Sequence, residues 1–309
     1  MGEPRFDPSV ATGGYLWWYV DALSQCGQYG LTLIAFVGSV FSPYYRWAHR
    51  KGRGDPENHC ALNVALYGRG ARRWTMTERG RRHCQRDSSR FEIGPSRLDW
   101  DGQCLHVRID EVGVPLPRAV RGHIRIWTQQ LFTQIETLDA AGRHRWGPIA
   151  PQARVEVDLE QPGLRWQGQA YIDSNEGDEP IDQGFDHWDW SRTLWPDGST
   201  EVTYDMQWRD RPERLLRLRY RTDGEIEPLA PTPTQSLPRT AWGIARRMRS
   251  EEAVGVHEQL EDTPFYQRCL LARRVDQKPA LAFHETLSIP RLVSPIVQGM
   301  LPFRMPRRA

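Results

Sequence analysis

The sequence predicts an all-β protein of antiparallel strands, with more of them than one small sandwich accommodates. Three observations carry this. Several segments alternate apolar and polar residues: Leu105, Val107 and Ile109 fall on one side, His106, Arg108 and Asp110 on the other. That is the pattern of a sheet with one buried face. Short Gly/Asp/Pro turns separate strands at Asp99–Gly102, Trp195–Gly198 and Arg221–Gly224, as hairpins require. Helical periods are scarce; Thr240–Ala253 is one candidate, and Phe41–Arg50 has room for a short turn of helix.

Taken in order, the chain opens with GGYLWWYVDAL, where strand alternation puts Tyr15, Trp17, Tyr19 and Asp21 on one face and Trp18 on the other. Three rings ending in a carboxylate make a wall for a long apolar ligand with one reactive end. The run Tyr29–Phe41 is the most apolar. It is shorter than the roughly 18–20 residues of a membrane-spanning helix, and its Gly and β-branched content reads as strand. Strand-like segments then follow one another to GHIRIWTQ. The Gly/Pro-rich stretch GRHRWGPIAPQ, residues 142–152, reads as a connection. It divides the chain into an N-terminal domain, residues 1–150, and a C-terminal domain with a basic tail, residues 151–309. In the second half, PLAPTPTQSLP (Pro228–Pro238) reads as a long loop, because its prolines and threonines cannot hold a ladder.

Composition bounds the function. At 309 residues, 39% hydrophobic and 26% charged, the chain has enough apolar material for one large core or two ordinary ones. A net charge of +2 gives no reason to expect nucleic acid. Arginine crowds the second half and the tail, which suits an anionic membrane surface or a plain solvated face. Five cysteines (Cys26, Cys60, Cys84, Cys104 and Cys269) are widely and irregularly spaced with no CxxC. They read as reduced thiols, neither a zinc ribbon nor an iron–sulfur ligand set. The N-terminal residues lack the basic start and apolar core of a signal peptide.

The stretch GFDHWDWSR, Gly184–Arg192, concentrates two indoles, three side chains able to handle protons and little else. As a strand it puts Phe185, His187 and Asp189 on one face, and Asp186, Trp188 and Trp190 on the other. His187 and Asp189 supply two metal ligands where three or four must converge, so no metal is expected. The acidic neighbourhood argues against nucleic acid, which wants aromatics interleaved with basic residues. A carboxylate buried beside indoles has its pKa pushed up, which suits a general acid. Plainer roles compete at every position. His187 and Tyr204 suit core hydrogen bonding; Asp173 and Glu176 suit a turn cap; Asn58-His59 suits a loop lock; Arg79 and Arg192 suit pairing with buried carboxylates.

The chain resembles the acyclic carotenoid 1,2-hydratases of photosynthetic bacteria. The resemblance runs almost end to end through GGYLWWYVDALS, LTLIAFVGSVFSPYY, DPENHCALNVALYG, WTMTERG, YIDSNEGDEPIDQGFDHWDWSR and SPIVQGMLPFRMPR. It implies two consecutive lipocalin-like antiparallel β-barrel domains and the addition of water across the terminal C1=C2 bond of acyclic carotenoids such as neurosporene or lycopene. It also implies no organic cofactor and a peripheral place on the cytoplasmic side of a membrane. Protonating an unactivated alkene needs a neutral but poised acid, rings to stabilise the tertiary cation, and a positioned water. Asp205 is the preferred donor, with Asp189 the other candidate. His187 is the partner that orients the acid or handles water, and Tyr204 completes the catalytic set. Trp188 and Trp190, together with Tyr15, Trp17 and Tyr19, are the expected substrate-binding rings. The tail from Ile296 to Arg308 is the candidate membrane contact, through Met300, Leu301 and Phe303. A non-catalytic carotenoid or lipid carrier would share barrels and rings but has no use for an acid against them. A scaffold protein would scatter its aromatics.

Overall fold

The computed structural model describes residues 3–208 and 212–308. The chain divides into two compact units, Met1–Pro180 with Gly299–Ala309, and Ile181–Gln298. The first holds β1 (Tyr15–Ser24), β2 (Gly30–Val37), β3 (Cys60–Tyr67), β4 (Arg73–Arg79), β5 (Cys84–Arg86), β6 (Arg90–Ile93), β7 (Ser96–Trp100), β8 (Cys104–Val112), β9 (Ala119–Thr128), β10 (Glu136–Thr137), β11 (His144–Gln161) and β12 (Leu164–Gly177). The second holds β13 (Phe185–Leu194), β14 (Thr200–Trp208), β15 (Arg214–Tyr220), β16 (Ile226–Pro228), β17 (Thr234–Leu237), β18 (Arg246–Arg249), β19 (Gly255–Asp262), β20 (Tyr266–Val275) and β21 (Lys278–Ser288). A last short strand, β22 (Arg307–Arg308), returns to the first unit. Helices are few and short, α1 (Pro43–Arg50), α2 (Ile289–Leu292) and α3 (Pro295–Met300). The all-β expectation and the short helix after Phe41 both hold.

In the first unit one sheet runs β22-β4-β3-β2-β1-β12-β11-β9-β8-β7-β6-β5, with β10 beside β11. Every pairing is antiparallel except β22 on β4. The sheet folds back on itself, since β4 touches β8 and β9 and β3 touches β6. Leu16, Trp18 and Val20 of β1 enter the enclosed core with Leu33, Leu62 and Ile172. Each such side chain contributes about 1.5–3 kcal/mol when fully buried. The opposite face of β1, with Tyr15, Trp17, Tyr19 and Asp21, is buried too. A strand buried on both sides reads as a continuous aromatic and apolar run, as YLWWYV does.

The second unit is an open sheet, β16-β15-β14-β13-β21-β20-β19, with the separate hairpin β17-β18. Leu237 and Met248 of that hairpin pack with Cys269, Leu271 and Ala282. Both main sheets have two ends along their pairing order, where two closed barrels were expected.

Three expectations are corrected. Thr240–Ala253 is no helix: Gly243 has φ +72°, and beyond it β18 alternates buried Arg246 and Met248 with half-buried Arg247 and Arg249. Period two wins over the helical reading. The end of PLAPTPTQSLP forms β17, which needs only the one partner β18. The expected connection at residues 142–152, and with it a boundary at residue 150, lies inside β11. Its Pro148 and Pro151 fall at register shifts in the β11–β12 pairing, where a missing N–H costs no ladder bond. Compactness divides the chain after Pro180 instead.

Candidate active site

The second unit carries Asp189 and Asp205 directly opposite each other on β13 and β14. Asp189 accepts from the Thr286 hydroxyl at 2.6 Å and from the Arg247 backbone N–H at 3.3 Å. Burial pushes its carboxyl up to about 7. Asp205 accepts from Arg247 Nη2 at 3.1 Å and Arg249 Nε at 2.7 Å, so both its oxygens serve ion pairs. Glu213 holds the Arg247 guanidinium from the other side at 3.1 Å. His284, on β21, approaches Asp189 at 3.7 Å. Its Nε2–H donates to the Arg247 carbonyl at 2.8 Å, and its Nδ1 accepts from the Gln267 amide at 3.0 Å. Those two bonds fix a neutral ring, and burial lowers its pKa to about 4. His187 is half-buried with a ring nitrogen 3.3 Å from the Ala245 carbonyl, and burial lowers its pKa.

The indoles of the same strand point away from this network. Trp188 opposes Met206 and Trp190 opposes Tyr204, on the face of the sheet that Asp189 and Asp205 do not share. Trp188 meets Tyr204 edge-to-face at 5.9 Å and Phe185 at 5.4 Å. The sequence-predicted set therefore separates: Asp189, Asp205 and His187 sit on one face with arginines, and Trp188, Trp190 and Tyr204 form a ring cluster on the other.

The predicted rings Tyr15, Trp17 and Tyr19 lie in the first unit, and there carboxylates and aromatics do share a face. In the β1–β12 register Tyr19 opposes Asp173 and Asp21 opposes Tyr171. Asp173 is 3% exposed and Asp21 is fully buried. Asp173 Oδ2 accepts from Trp146 Nε1–H at 2.8 Å and from the Tyr171 hydroxyl at 2.9 Å. The Tyr19 hydroxyl donates to Asp21 at 3.1 Å. Tyr19 and Tyr171 meet edge-to-face at 6.2 Å, Tyr15 stacks on Trp17 at 4.9 Å, and Trp17 touches Phe36 at 5.9 Å.

His144, at the start of β11, stands 2.9 Å from the Tyr15 hydroxyl through Nδ1 and 3.3 Å from Glu179 through Nε2. Gly177 makes room for that contact: a Cβ there would lie 2.4 Å from the Tyr15 ring and 2.9 Å from His144 Nδ1. In the sequence Tyr171 and His144 stand only as members of strand or connection segments, and Asp173 has the setting of a turn cap. The available signal was the repeated triplet Tyr-x-Asp, at Tyr19–Asp21 and Tyr171–Asp173. Among the described residues, no three His, Cys, Asp or Glu side chains converge as a metal ligand set, and no helix is long and apolar enough to cross a membrane.

Known proteins match this chain throughout its length. It is 54% identical over 312 residues to the acyclic carotenoid 1,2-hydratase of Rubrivivax gelatinosus, covering 100% of this chain and 77% of that protein. It is 52% identical to that of Thiocapsa roseopersicina, covering 98% and 76%. Among solved structures, a candidate AttH from Nitrosomonas europaea shares the fold at TM-score 0.64 and 14% identity, covering 92% of this chain and 95% of that one. Kievitone hydratase from Nectria haematococca does so at TM-score 0.53 and 10% identity, covering 93% and 94%. The family model for the carotenoid hydratase CrtC matches residues 33–309. With a curled antiparallel sheet, a buried carboxyl set among rings and relatives at this identity, the chain belongs to the carotenoid hydratase family.

Proposed function

We propose that this protein adds water across the terminal C1=C2 double bond of an acyclic carotenoid, with Asp173 as the proton donor. The observation that carries the assignment is that the Asp173 carboxyl accepts from both an indole N–H and a phenol O–H while buried among rings. Protonation at C2 leaves a tertiary cation at C1. The faces of Tyr19, Tyr171 and Trp17 suit its stabilisation, each such contact giving about 2 kcal/mol or more when desolvated. Trp146 and Tyr171 stabilise the carboxylate left on Asp173, since hydrogen bonds to a charged acceptor are the strong ones. Water then captures the cation to give a tertiary alcohol.

Asp205 and Asp189 fit the donor role less well. Asp205 is occupied by two guanidinium groups, and the indoles beside Asp189 in sequence lie on the opposite face of β13. A carrier would hold the same pigment but gains nothing from a buried acid against the rings. We also place the protein peripherally on a membrane, the phase that holds its substrate, through the exposed Met300 and Phe303. Leu301, expected to join them, is buried.

The test is incubation of the purified protein with lycopene or neurosporene in detergent, followed by mass analysis for a gain of one water. Wild-type protein forms the hydrate and Asp173→Asn does not, while still binding the pigment. Hydrate formation by Asp173→Asn at wild-type rate overturns the assignment.

A further inference from the structure

We infer that Asp21 is the second carboxylate of this reaction, the base that takes the proton from the attacking water. The inference rests on Asp173 being the acid, and it comes from a symmetry in the strand pairing. Tyr19-Val20-Asp21 and Tyr171-Ile172-Asp173 pair antiparallel about Val20 and Ile172. Each tyrosine hydroxyl donates to the aspartate two residues ahead on its own strand, at 3.1 and 2.9 Å. The two tyrosine rings meet edge-to-face. Opposed residues of an antiparallel pair project to the same side, so both carboxyls and both rings share one face.

The spacing is what gives the second carboxyl a role. Asp21 and Asp173 are diagonal neighbours across the pair, a relation that sets their backbone positions, not their carboxyl groups, roughly 7–8 Å apart. Two carboxyls in direct contact would share one proton. At about 6.5–9.5 Å, as in inverting glycoside hydrolysis, an acid and a base leave room for the reacting carbon and one water between them. Asp21 is fully buried on a strand face where the rings Tyr15, Trp17 and Tyr19 precede it. A carboxylate in that position is costly to a purely structural wall, because burying a charge is expensive.

The steps balance. The Asp173 O–H bond breaks as the C2–H bond forms. The water oxygen bonds C1, and one water O–H breaks as an O–H forms on Asp21. The proton then passes from Asp21 back to Asp173, and one water has been added to the alkene. No oxidant, reductant or further reactant is needed.

The experiment is turnover of lycopene in detergent micelles in deuterium oxide, reading both the hydrate and deuterium in the recovered carotenoid. Asp173→Asn should give neither product nor exchange. Asp21→Asn should lower hydrate formation about 100-fold or more, within the usual range for a general base. Deuterium should still enter its recovered carotenoid, because the cation forms and reverts to alkene. Asp21→Asn hydrating within threefold of wild type overturns the inference, and so does loss of exchange together with hydration. Hydration retained by Asp173→Asn refutes the acid assignment itself, whatever Asp21→Asn does. If Asp21→Asn does not fold, Tyr19→Phe decides. Losing the hydroxyl donated to Asp21 should raise the acid limb of the pH–rate profile by about one pH unit, and an unmoved limb overturns the inference.

Discussion

Replacing Asp189 by Asn should make the protein more stable at alkaline pH and leave it little changed near pH 4. The carboxyl titrates at about 7 when folded against an ordinary value of 3.8, because burial penalises its charged form. A group whose folded value is raised binds its proton more tightly in the folded state. Its contribution is therefore full below about 3.8 and is lost as pH rises to about 7. Three pH units at 1.36 kcal/mol each amount to about 4 kcal/mol. Asn keeps an acceptor for the Thr286 hydroxyl and the Arg247 N–H, so the cost of substitution itself is small. His284 works in the opposite sense. Its folded value near 4 lies below its ordinary 6.5, so its contribution is present above 6.5 and lost as pH falls towards 4. In wild type the two slopes oppose each other between about pH 4 and 6.5; in Asp189→Asn only the histidine slope remains. Urea unfolding followed by far-ultraviolet circular dichroism at pH 4, 6 and 8 reads both effects. A stability difference between variant and wild type that does not change with pH refutes this reasoning.

Two further perturbations have defined outcomes. Arg307 of β22 pairs with buried Glu78 and stands 3.0 Å from His59, so Arg307→Ala leaves a buried carboxylate short of its cation. It should cost on the order of 3 kcal/mol in urea unfolding at pH 7, and an unchanged midpoint would contradict the tie. Met300→Ser with Phe303→Ser should lower binding to anionic liposomes about tenfold with the circular dichroism spectrum unchanged, since both side chains are exposed. Unchanged binding rejects that contact. Deleting the tail is a poor test, because Leu301 and Met305 are buried and β22 pairs with β4.

The strands were legible because their alternation is local. Leu105, Val107 and Ile109 are buried as their spacing predicts, and β1 carries Tyr15, Trp17, Tyr19 and Asp21 on one face as read. The long-range pairing was not legible. Asp173 looked like a turn cap in YIDSNEG because nothing local shows that β12 lies against β1, about 150 residues away. His144 and Trp146 were hidden in GRHRWGPIAPQ, where Gly147, Pro148 and Pro151 carry the composition of a connection. The prolines sit at bulges of an 18-residue strand instead. GFDHWDWSR drew attention through its density of chemical groups, yet side-chain alternation already divides Asp189 from Trp188 and Trp190. Density along a strand is not proximity on a face.

The most direct test of the central claim sets Asp173→Asn against Asp189→Asn and Asp205→Asn, all purified and checked for folding, in one lycopene hydration assay. The account predicts that Asp173→Asn loses hydration by about 100-fold or more, the scale of a positioned general acid. Asp189→Asn should stay within threefold of wild type, and Asp205→Asn should keep measurable hydration. Full activity in Asp173→Asn with loss in either of the others would contradict it and move the acid to the arginine-lined face of the second unit.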